Sequence, residues 1–402
     1  MRSHRIINRL VFFILLMPFG AFGQGVKDSA RKPVFLNQQA IDVDFIFNYY
    51  EQDGNHSPVT GGLGTEELED RSGKVVVQVP MDSLTRLNTA FTVNHYTSAS
   101  TDKIDTYVSS ASRKDSRAVL IMGFDRDRPA KRQSWGVSAG GSIESDYISN
   151  FLIARWAISS ADKNREIAIQ GQAYLDRWVV IFPEELRNPG LASVPTDRRR
   201  SYNLSATWSQ IITPRLQASL SGEIVVQTGL LSTPFHRVYF LGETLPKIEK
   251  LPLFRIKYPV GFRVNYYVSD YFIFRTYYRL YYDSFSIVAH TASMEIPLKI
   301  GPFFSVYPFY RFHTQSASRY FDTYGQHLLS DEFYTSDFDL SAFYSHKYGL
   351  GITFAPALGI LRFKQKNNRT GKLKSLDIRY AYYTRSDGLS AATAGMGFGF
   401  QF

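Results

Sequence analysis

Six basic side chains recur at alternate positions in the second half of the chain. Side chains of a β-strand point alternately to its two sides, so residues two apart share a face. Arg and Lys side chains gathered on one face attract anions, and rings of such residues favour anions in channels. The six are Arg255, Lys257, Arg263, Arg275, Arg279 and Arg311.

The same basic side chains also suit a structural role. Asp283, Glu223 and Glu295 lie in neighbouring segments and would balance part of their charge. Charges enclosed within a protein usually find partners, because an unpaired ion has lost its hydration. An internal ion-pair network is therefore the alternative to an anion-attracting face, and for this feature the sequence favours the network.

The sequence contains no H-E-x-x-H, no phosphate-binding glycine loop and no EF-hand loop. His313 is the best candidate for a general base, but a base needs a nucleophile and an orienting carboxylate whose positions the spacing does not supply. The segment 52–72 is rich in carboxylates suited to calcium, but its spacing matches no ligand loop. We predict no catalytic residue, no metal ligand, no cofactor and no enzymatic activity.

The basic residues lie in long amphipathic strands. In the segment 254–266 apolar and aromatic residues alternate with polar or basic ones, and the segment 272–283 repeats the pattern. Ser269-Asp270 and their neighbours separate the two segments, which indicates a hairpin with a tight turn. Membrane-crossing strands of β-barrels need about 9–11 residues and show this alternation of an apolar and a wet face.

The rest of the chain divides in the same way into about 16 strands, with about 14 as the alternative count. We predict an all-β fold, a transmembrane antiparallel up-and-down β-barrel with periplasmic termini and long extracellular loops. The basic side chains would line its lumen. The predicted strands are 41–51, 73–80, 85–97, 117–124, 134–145, 147–160, 165–181, 201–213, 216–228, 252–267, 271–283, 285–298, 302–314, 338–354, 373–385 and 390–402.

The lengths of the connections support this strand count. Numbered back from the C-terminus, the predicted periplasmic turns 213–215, 269–270 and 299–302 are short, as in bacterial barrels. Two connections fit less well: 355–372 is long for a periplasmic turn, and 283–284 is short for an outer loop. The predicted outer loops are 52–72, 98–116, 182–200, 229–251 and 315–337.

Composition agrees with a membrane barrel. Aromatic residues make up 15% of the chain, a high share, while 20% of the residues are charged. A barrel reconciles the two values because half of each strand meets lipid and half meets water. Cysteine is absent, which excludes disulfides and thiolate metal sites. The net charge of +10 suits nucleic acid, anionic lipid or an anion-lined lumen, but predicted export excludes nucleic acid as a partner.

The N-terminus predicts export. Arg2, Arg5 and Arg9 precede an apolar stretch that runs from Leu10 to Phe22. A basic region, a short apolar region and small residues before a cleavage point are typical of a secretory signal peptide. We predict a signal peptide over 1–23 cleaved near Gly23, a periplasmic lead-in over 24–40 and the barrel over 41–402.

The C-terminal strand resembles the signal that the barrel-assembly machinery of the outer membrane reads. Apolar residues occupy every second position, and the chain ends on an aromatic residue. A final strand with one apolar face can add to a sheet edge, and closure of the barrel then removes that edge. The predicted assembly residues are Met396, Phe398, Phe400 and Phe402.

Two loops resemble those of a known family. The motif Asp53-Gly-Asn-His-Ser-Pro-Val-Thr-Gly-Gly62, with the segments 98–105 and 109–115, is similar to the uncharacterised domain of unknown function 3570, which is typical of Bacteroidota outer membranes. The resemblance covers nearly the whole chain after the signal peptide. It implies an outer-membrane barrel in a redox-related envelope context, and it implies no activity and no catalytic residues.

From these features we expect a channel or transport-like barrel for small polar or anionic solutes in the outer membrane. Its expected partners are outer-membrane lipid and the barrel-assembly machinery. One alternative is a scaffold barrel, plugged by its own loops, that partners an envelope or surface protein. A barrel hydrolase that uses His313 is the weakest alternative.

Overall fold

A computed structural model describes residues 40–97, 114–179, 198–364 and 370–402. The predicted signal peptide and all but the last residue of the predicted lead-in lie outside the described residues. So do residues 98–113, which carry one whole segment and most of another of the three that resemble the known family, and most of the predicted loop 182–200. No helix of the described residues is long and apolar enough to cross a membrane.

Sixteen long strands make up one antiparallel sheet. The sheet has 18 members, of which the short segments Leu298–Lys299 and Leu361–Lys364 lie in connections between longer strands. The long strands are β1 Asp42–Asp53, β2 Leu68–Pro80, β3 Thr85–Thr97, β4 Lys114–Arg128, β5 Gln133–Ile143, β6 Tyr147–Ser159, β7 Arg165–Trp178, β8 Arg198–Thr213, β9 Leu216–Gly229, β10 Phe254–Ser269, β11 Phe272–Asp283, β12 Val288–Glu295, β13 Phe304–Gln315, β14 Phe343–Phe354, β15 Thr370–Arg385 and β16 Ser390–Gln401.

Pairing of the first and last strands closes the barrel. β1 and β16 run antiparallel, with Asp42 opposite Gln401. Beyond their ends, the N–H of Ile41 donates to the carbonyl of Phe402, and the N–H of Phe402 donates to that of Ile41, both at 2.9 Å. Every long strand therefore has two neighbours, and the sheet leaves no long edge unpaired. The predicted all-β, antiparallel barrel of 16 strands is confirmed.

The two shortest predicted strands are longer in the structure. β2 extends beyond its predicted window 73–80 at its start, and β4 extends beyond 117–124 at both ends. Polar residues continue the pairing past the apolar stretch. In β4 this addition includes Asp125–Arg128, which pairs with the start of β5. A hydropathy pattern detects only the apolar part of a strand, whereas the backbone pairing between strands continues into the part that meets water.

Two other windows end differently in the structure. The window 338–354 was predicted as strand throughout, but Phe338–Leu340 forms a 3-10 turn. The side chain of Asp337 accepts the N–H of Asp339 there, at 2.9 Å, and so caps the turn. The window 285–298 holds a strand that stops at Glu295, because Pro297 has no N–H to donate to a partner.

The longest described connections gather at one end of the barrel, which also holds the short connections 144–146, 284–287 and 386–389. Consecutive antiparallel strands are joined at alternate ends of the barrel, so β1–β2, β9–β10 and β13–β14 are joined at one end, named the loop end, by long segments. Connections at the opposite turn end are mostly short, and β1 starts and β16 finishes there. The connection 355–369, of which residues 365–369 are not described, is the long exception that the sequence showed.

The outer face of the barrel is apolar. In β10 the exposed side chains are large and hydrophobic at every second position over most of the strand, and other strands repeat the pattern. A water-soluble monomer rarely exposes an apolar surface of this extent, so it marks a surface for lipid or protein. Examples are Phe254, Tyr258, Val260, Phe262 and Tyr266 of β10, Leu204 and Trp208 of β8, and Tyr344, Tyr348 and Leu350 of β14.

Candidate functional site

Contacts between distant strands identify the side chains that point inward. Arg379 of β15 approaches Glu295 of β12 at 3.7 Å, although β13 and β14 lie between them. Neighbouring strands are about 4.8 Å apart, so two side chains three strands apart meet only across the concave inner face. The alternate residues on these strands therefore face the interior.

Five cations and Glu295 line one cavity in the interior. The cavity measures about 320 Å³ and is formed by β10 to β15. Three of the cations were predicted from alternation in the sequence, and Lys347 and Arg379 were not. We name this group the basic cluster. Its members are Arg263, Arg275, Arg311, Lys347 and Arg379.

Two members of the basic cluster share the one carboxylate. Arg275 donates to Glu295 at 3.0 Å, and Arg379 lies 3.7 Å from its other oxygen. Arg311 and Lys347 stand directly opposite each other on β13 and β14, and neither forms an ion pair with a described residue. Because neither has a carboxylate partner among the described residues, the pair keeps an unbalanced positive charge. Like charges opposed on neighbouring strands also repel each other.

Glycine makes room for the rings that position Arg379. Gly349 stands opposite Phe309 on the neighbouring strand, and a Cβ on this glycine would lie 2.0 Å from the ring. The ring therefore lies over the backbone of β14. The guanidinium of Arg379 stacks on it, with its carbon 4.0 Å from the ring centroid. Such a cation–π contact orients the cation within the cluster.

The other predicted basic residues lie elsewhere. Arg255 forms an ion pair with the fully buried Asp283 near the loop end. Lys257 stands opposite Asp283 in the register of β10 and β11. Arg279 stands opposite Gly261 and has no ion pair with a described residue. Of the six candidates, Arg255 at the loop end is therefore neutralised by a carboxylate, whereas Arg311 and Arg279 have no ion pair with a described residue. The role of the six residues with solutes stays a prediction.

An ion-paired wall lies across the interior from the basic cluster. Asp125 of β4 pairs with Arg155 of β6 at 3.3 Å, and Asp127 pairs with Arg86 at 3.4 Å. In a closed barrel of sixteen strands, β4 stands opposite β12. The interior is therefore more positive on one side than on the other.

The long connections at the loop end fold against one another. Val238, Phe240 and Tyr334 bury their side chains together. The rings of Phe240 and Tyr334 meet edge to face, with centroids 4.8 Å apart. Phe240 and Val238 are among the most buried side chains of the described residues, whereas the barrel wall is mostly half-buried. We name these connections the loop cluster; they are 54–67, 230–253 and 316–342.

Hydrogen bonds join the three connections. The guanidinium of Arg237 donates to the carbonyl of Val59, and the hydroxyl of Ser336 donates to the carbonyl of Arg237 at 2.7 Å. Gly61 has a positive φ of 83°, and a Cβ there would lie 2.6 Å from the ring of Tyr239. A larger residue at Gly61 would therefore separate the first connection from the second.

Two titratable groups of the loop cluster bind protons more tightly than usual. Burial works against a charged His236, but the Glu249 carboxylate, 3.5 Å from Nδ1, outweighs burial and raises the His236 pKa. Burial raises the pKa of Asp337 to about 6. In each case the folded state holds a proton that the unfolded state has released. The folded loop cluster therefore loses stability as pH rises through these values.

We expect the loop cluster to open more readily at about pH 8 than at about pH 5.5. Hydrogen exchange of the 230–253 amides, corrected for the intrinsic effect of pH, should show weaker protection at the higher pH. Amides of β5, which carries no titratable side chain, serve as the internal control. Stronger protection of 230–253 at the higher pH would contradict the assignment.

His313 lacks the surroundings of a general base. Its Nδ1 lies 2.8 Å from the hydroxyl of Thr291, and its Nε2 lies 3.4 Å from the side-chain oxygen of Gln315. No carboxylate of the described residues hydrogen-bonds to it. The interpretation of His313 as a polar interior residue agrees with these contacts, and the predicted absence of activity stays a prediction.

The predicted assembly residues lie along the seam between β16 and β1. The rings of Phe400 and Phe45 have centroids 5.6 Å apart, and those of Phe398 and Phe47 are 6.4 Å apart. Met396 is exposed on the same strand. These contacts stabilise the closed barrel, and recognition by an assembly machinery stays a prediction.

Several solved structures resemble this fold, and the three that follow each share less than 10% sequence identity with this chain. A "bacterial polysaccharide outer membrane secretin" aligns with a TM-score of 0.47 and 9% identity, covering 90% of this chain and 98% of that one. OccK1 (OpdK) of Pseudomonas aeruginosa aligns at 0.40 and 8%, covering 92% and 99%. A BenF-like porin from Pseudomonas fluorescens Pf-5 aligns at 0.42 and 7%, covering 92% and 100%. These scores transfer no function. No curated protein matches the chain.

A family model supports the resemblance that the loop motifs indicate. The model described as "Protein of unknown function (DUF3570)" matches residues 88–397, which span most of the barrel. The first loop motif, 53–62, precedes the matched residues. The chain therefore belongs to the DUF3570 family of proteins of unknown function.

Proposed function

We propose that this protein is an outer-membrane channel that admits small polar or anionic solutes and whose mouth is narrowed by the loop cluster. The observation that carries the proposal is the pair Arg311 and Lys347. Two like charges face each other across β13 and β14 without a carboxylate partner among the described residues. A transient anion between them would relieve the repulsion. Rings of cations attract anions in the same way in anion-selective pores.

The apolar outer face supports a place in the membrane. A closed barrel satisfies its backbone groups internally, which makes it one of the two structures that span a bilayer. Bacterial barrels have short periplasmic turns and longer outer loops. We therefore assign the turn end and both ends of the strand series to the periplasm and the loop end to the outside. The Bacteroidota origin and the redox-related envelope context remain expectations from the family resemblance.

A plugged scaffold is the second candidate function. The buried core of the loop cluster and the hydrogen bond from Arg237 to Val59 within it favour a scaffold, because loops that only surround a pore need no core of their own. Such a barrel would present the loop cluster to an envelope or surface protein. Pull-down from native membranes would then return a stoichiometric partner, and planar bilayers would show no current.

We expect loss of the opposed cations to weaken anion selectivity. A unit charge about 4 Å away is worth about 1 kcal/mol in water-like surroundings. The double variant Arg311→Gln with Lys347→Gln should therefore reduce the anion-to-cation permeability ratio by about threefold to tenfold. Reversal potentials of single channels under a salt gradient measure this ratio.

Lys131→Gln with Arg132→Gln is the matched control, since both residues lie in an exposed turn at the turn end and the pair loses the same two charges. It should change the ratio much less than Arg311→Gln with Lys347→Gln does. Because loss of Arg311 and Lys347 also relieves repulsion, the thermal stability of that variant should not fall. Absence of current, or unchanged selectivity in the variant Arg311→Gln with Lys347→Gln, would overturn the proposal that the protein is a channel.

A further inference from the structure

A second cavity lies at the loop end, distinct from the basic cluster. It measures about 640 Å³, within the range of small-molecule sites. Its wall comes from the loop-end halves of β3 to β8, and two connections of the loop cluster cover it through Ser57, Val59, Phe235 and His236. Residues of several strands and two loops thus meet around one space.

Five buried polar atoms at this cavity have no hydrogen-bond partner among the described residues, and one of them, Nδ1 of His236, faces the Glu249 carboxylate at 3.5 Å. The other four are Oγ of Ser57, Oγ of Ser142, Oδ1 of Asp176 and Nε1 of Trp178. Ser57 is completely buried, Ser142 is 4% exposed and Asp176 is 8% exposed. A buried polar group without a partner costs free energy comparable to a lost hydrogen bond. Four such groups around one space indicate a site made for a hydrogen-bonding ligand.

The unpartnered atoms differ in character, which narrows the class of ligand. The indole N–H of Trp178 only donates, the Asp176 carboxylate only accepts, and the two hydroxyls do both. A metal ion or an ammonium group cannot accept the indole proton. A carboxylate or a fully ionised phosphate ester has no proton to donate to Asp176. Hydroxyl groups satisfy all four atoms, because each hydroxyl donates and accepts.

Aromatic rings supply the rest of the lining. Tyr147 and Trp178 meet edge to face at 4.9 Å, and Phe151 and Tyr174 lie 5.2 Å apart. Phe235, from the loop cluster, approaches Trp178 at 6.4 Å. Rings with polar groups beside them suit a ligand that has both apolar C–H faces and hydroxyls.

Charge disfavours an anionic occupant. The lining contains two guanidinium groups, and each already pairs with a carboxylate: Arg117 with Glu144, and Arg199 with Asp176, both at 3.3 Å. Asp115 adds a third carboxylate to the lining. An anion would therefore enter a negative surrounding, in contrast to the basic cluster deeper in the barrel.

Arg199 holds the polar and aromatic parts of the lining together. Its guanidinium pairs with Asp176 and donates to the Tyr147 hydroxyl. Its carbon lies 5.4 Å from the ring centroid of Tyr147 and 6.0 Å from that of Trp178. These contacts fix Trp178 and Asp176 before a ligand arrives, which lowers the entropic cost of binding.

We propose that this cavity binds a neutral saccharide. Its ring hydroxyls would satisfy Ser57, Ser142, Asp176 and Trp178, and its C–H faces would contact the aromatic rings. The site is independent of conduction, because a barrel that passes no current would still bind the sugar.

Isothermal titration calorimetry of the purified full-length barrel tests the site. The probes are glucose, galactose, mannose, maltose and maltotriose, with glucuronate as the charged comparison. We expect saturable binding of at least one neutral sugar, stronger than that of glucuronate. Trp178→Phe keeps a ring and removes the donor, and Ser142→Ala removes one hydroxyl. Either should weaken binding by about tenfold, the value of one hydrogen bond in a buried site.

Trp135→Phe is the matched control. The indole N–H of Trp135 is also buried without a partner, but Trp135 lines a different cavity. Its replacement should leave the affinity unchanged. Three results would each overturn the proposal: no binding of any neutral sugar, binding confined to glucuronate, or an affinity that Trp178→Phe and Ser142→Ala leave as it is. Equal weakening by Trp135→Phe would also overturn it.

Discussion

Replacement of Asp283 by alanine is expected to lower the free energy of unfolding by about 3–5 kcal/mol, the cost of leaving a buried charge without its partner. Asp283 is completely buried at the loop end of β11. One carboxylate oxygen accepts from the Nε of Arg255 at 2.9 Å and from the hydroxyl of Tyr281 at 2.7 Å. The other accepts the N–H groups of Phe285 and Ile287, at 2.9 and 3.1 Å.

The carboxylate of Asp283 therefore has two tasks that alanine cannot perform. It neutralises Arg255, whose side chain is 15% exposed, and it satisfies the backbone of the tight connection between β11 and β12. The double variant Arg255→Met with Asp283→Ala should recover part of the loss. It removes the unpaired charge but leaves the two N–H groups without an acceptor.

The temperature at which the folded barrel converts to the unfolded form on electrophoresis measures both variants. Asp162→Ala is the matched control, because Asp162 also accepts a backbone N–H, from Asn164 at 3.2 Å, but lies in an exposed turn. It should cost no more than about 1 kcal/mol. If Asp283→Ala unfolded at the temperature of Asp162→Ala, the buried ion pair would not anchor the loop end.

The barrel could be predicted because its strands and turns follow from local sequence patterns. Alternation needs only neighbouring residues, as in β10, and a tight turn needs only the few residues beside Asp270. The strand count and the side of each connection followed from these patterns. Extension of the same alternation to β14 and β15 would also have placed Lys347 and Arg379 on the inner face, since Tyr348 and Tyr380 beside them are exposed.

Contacts between distant parts of the chain could not be predicted in this way. Glu295 meets Arg379 because the barrel curves across three strands, and curvature depends on closure as a whole. The loop cluster has no periodicity: Phe240 and Tyr334 are far apart in sequence and come together through their rings. The cavity with Trp178 draws on several strands at once, so no segment shows it alone.

The C-terminal strand gives the second large expected effect. The double variant Phe400→Ser with Phe402→Ser should reduce folded barrel in the outer membrane at least about tenfold, because burial of a Phe side chain contributes about 1.5–3 kcal/mol. Phe400 contacts Phe45 of β1, and Phe402 contacts Phe363 at 5.9 Å. The heat-modifiable band in isolated outer membranes measures the folded amount.

Loss of a seam contact and loss of an assembly signal differ in one measurable respect. Refolding of the purified chain into detergent needs the contacts of Phe400 and Phe402 but no assembly machinery. If these residues act as a signal, the double variant should refold in detergent far better than it inserts in cells. Tyr380→Ser, which removes an exposed aromatic side chain of β15, should insert normally. A double variant that failed equally in both settings would show that these residues act through β1 and the closure of the sheet, because a strand that cannot complete the barrel leaves an edge unpaired wherever it folds.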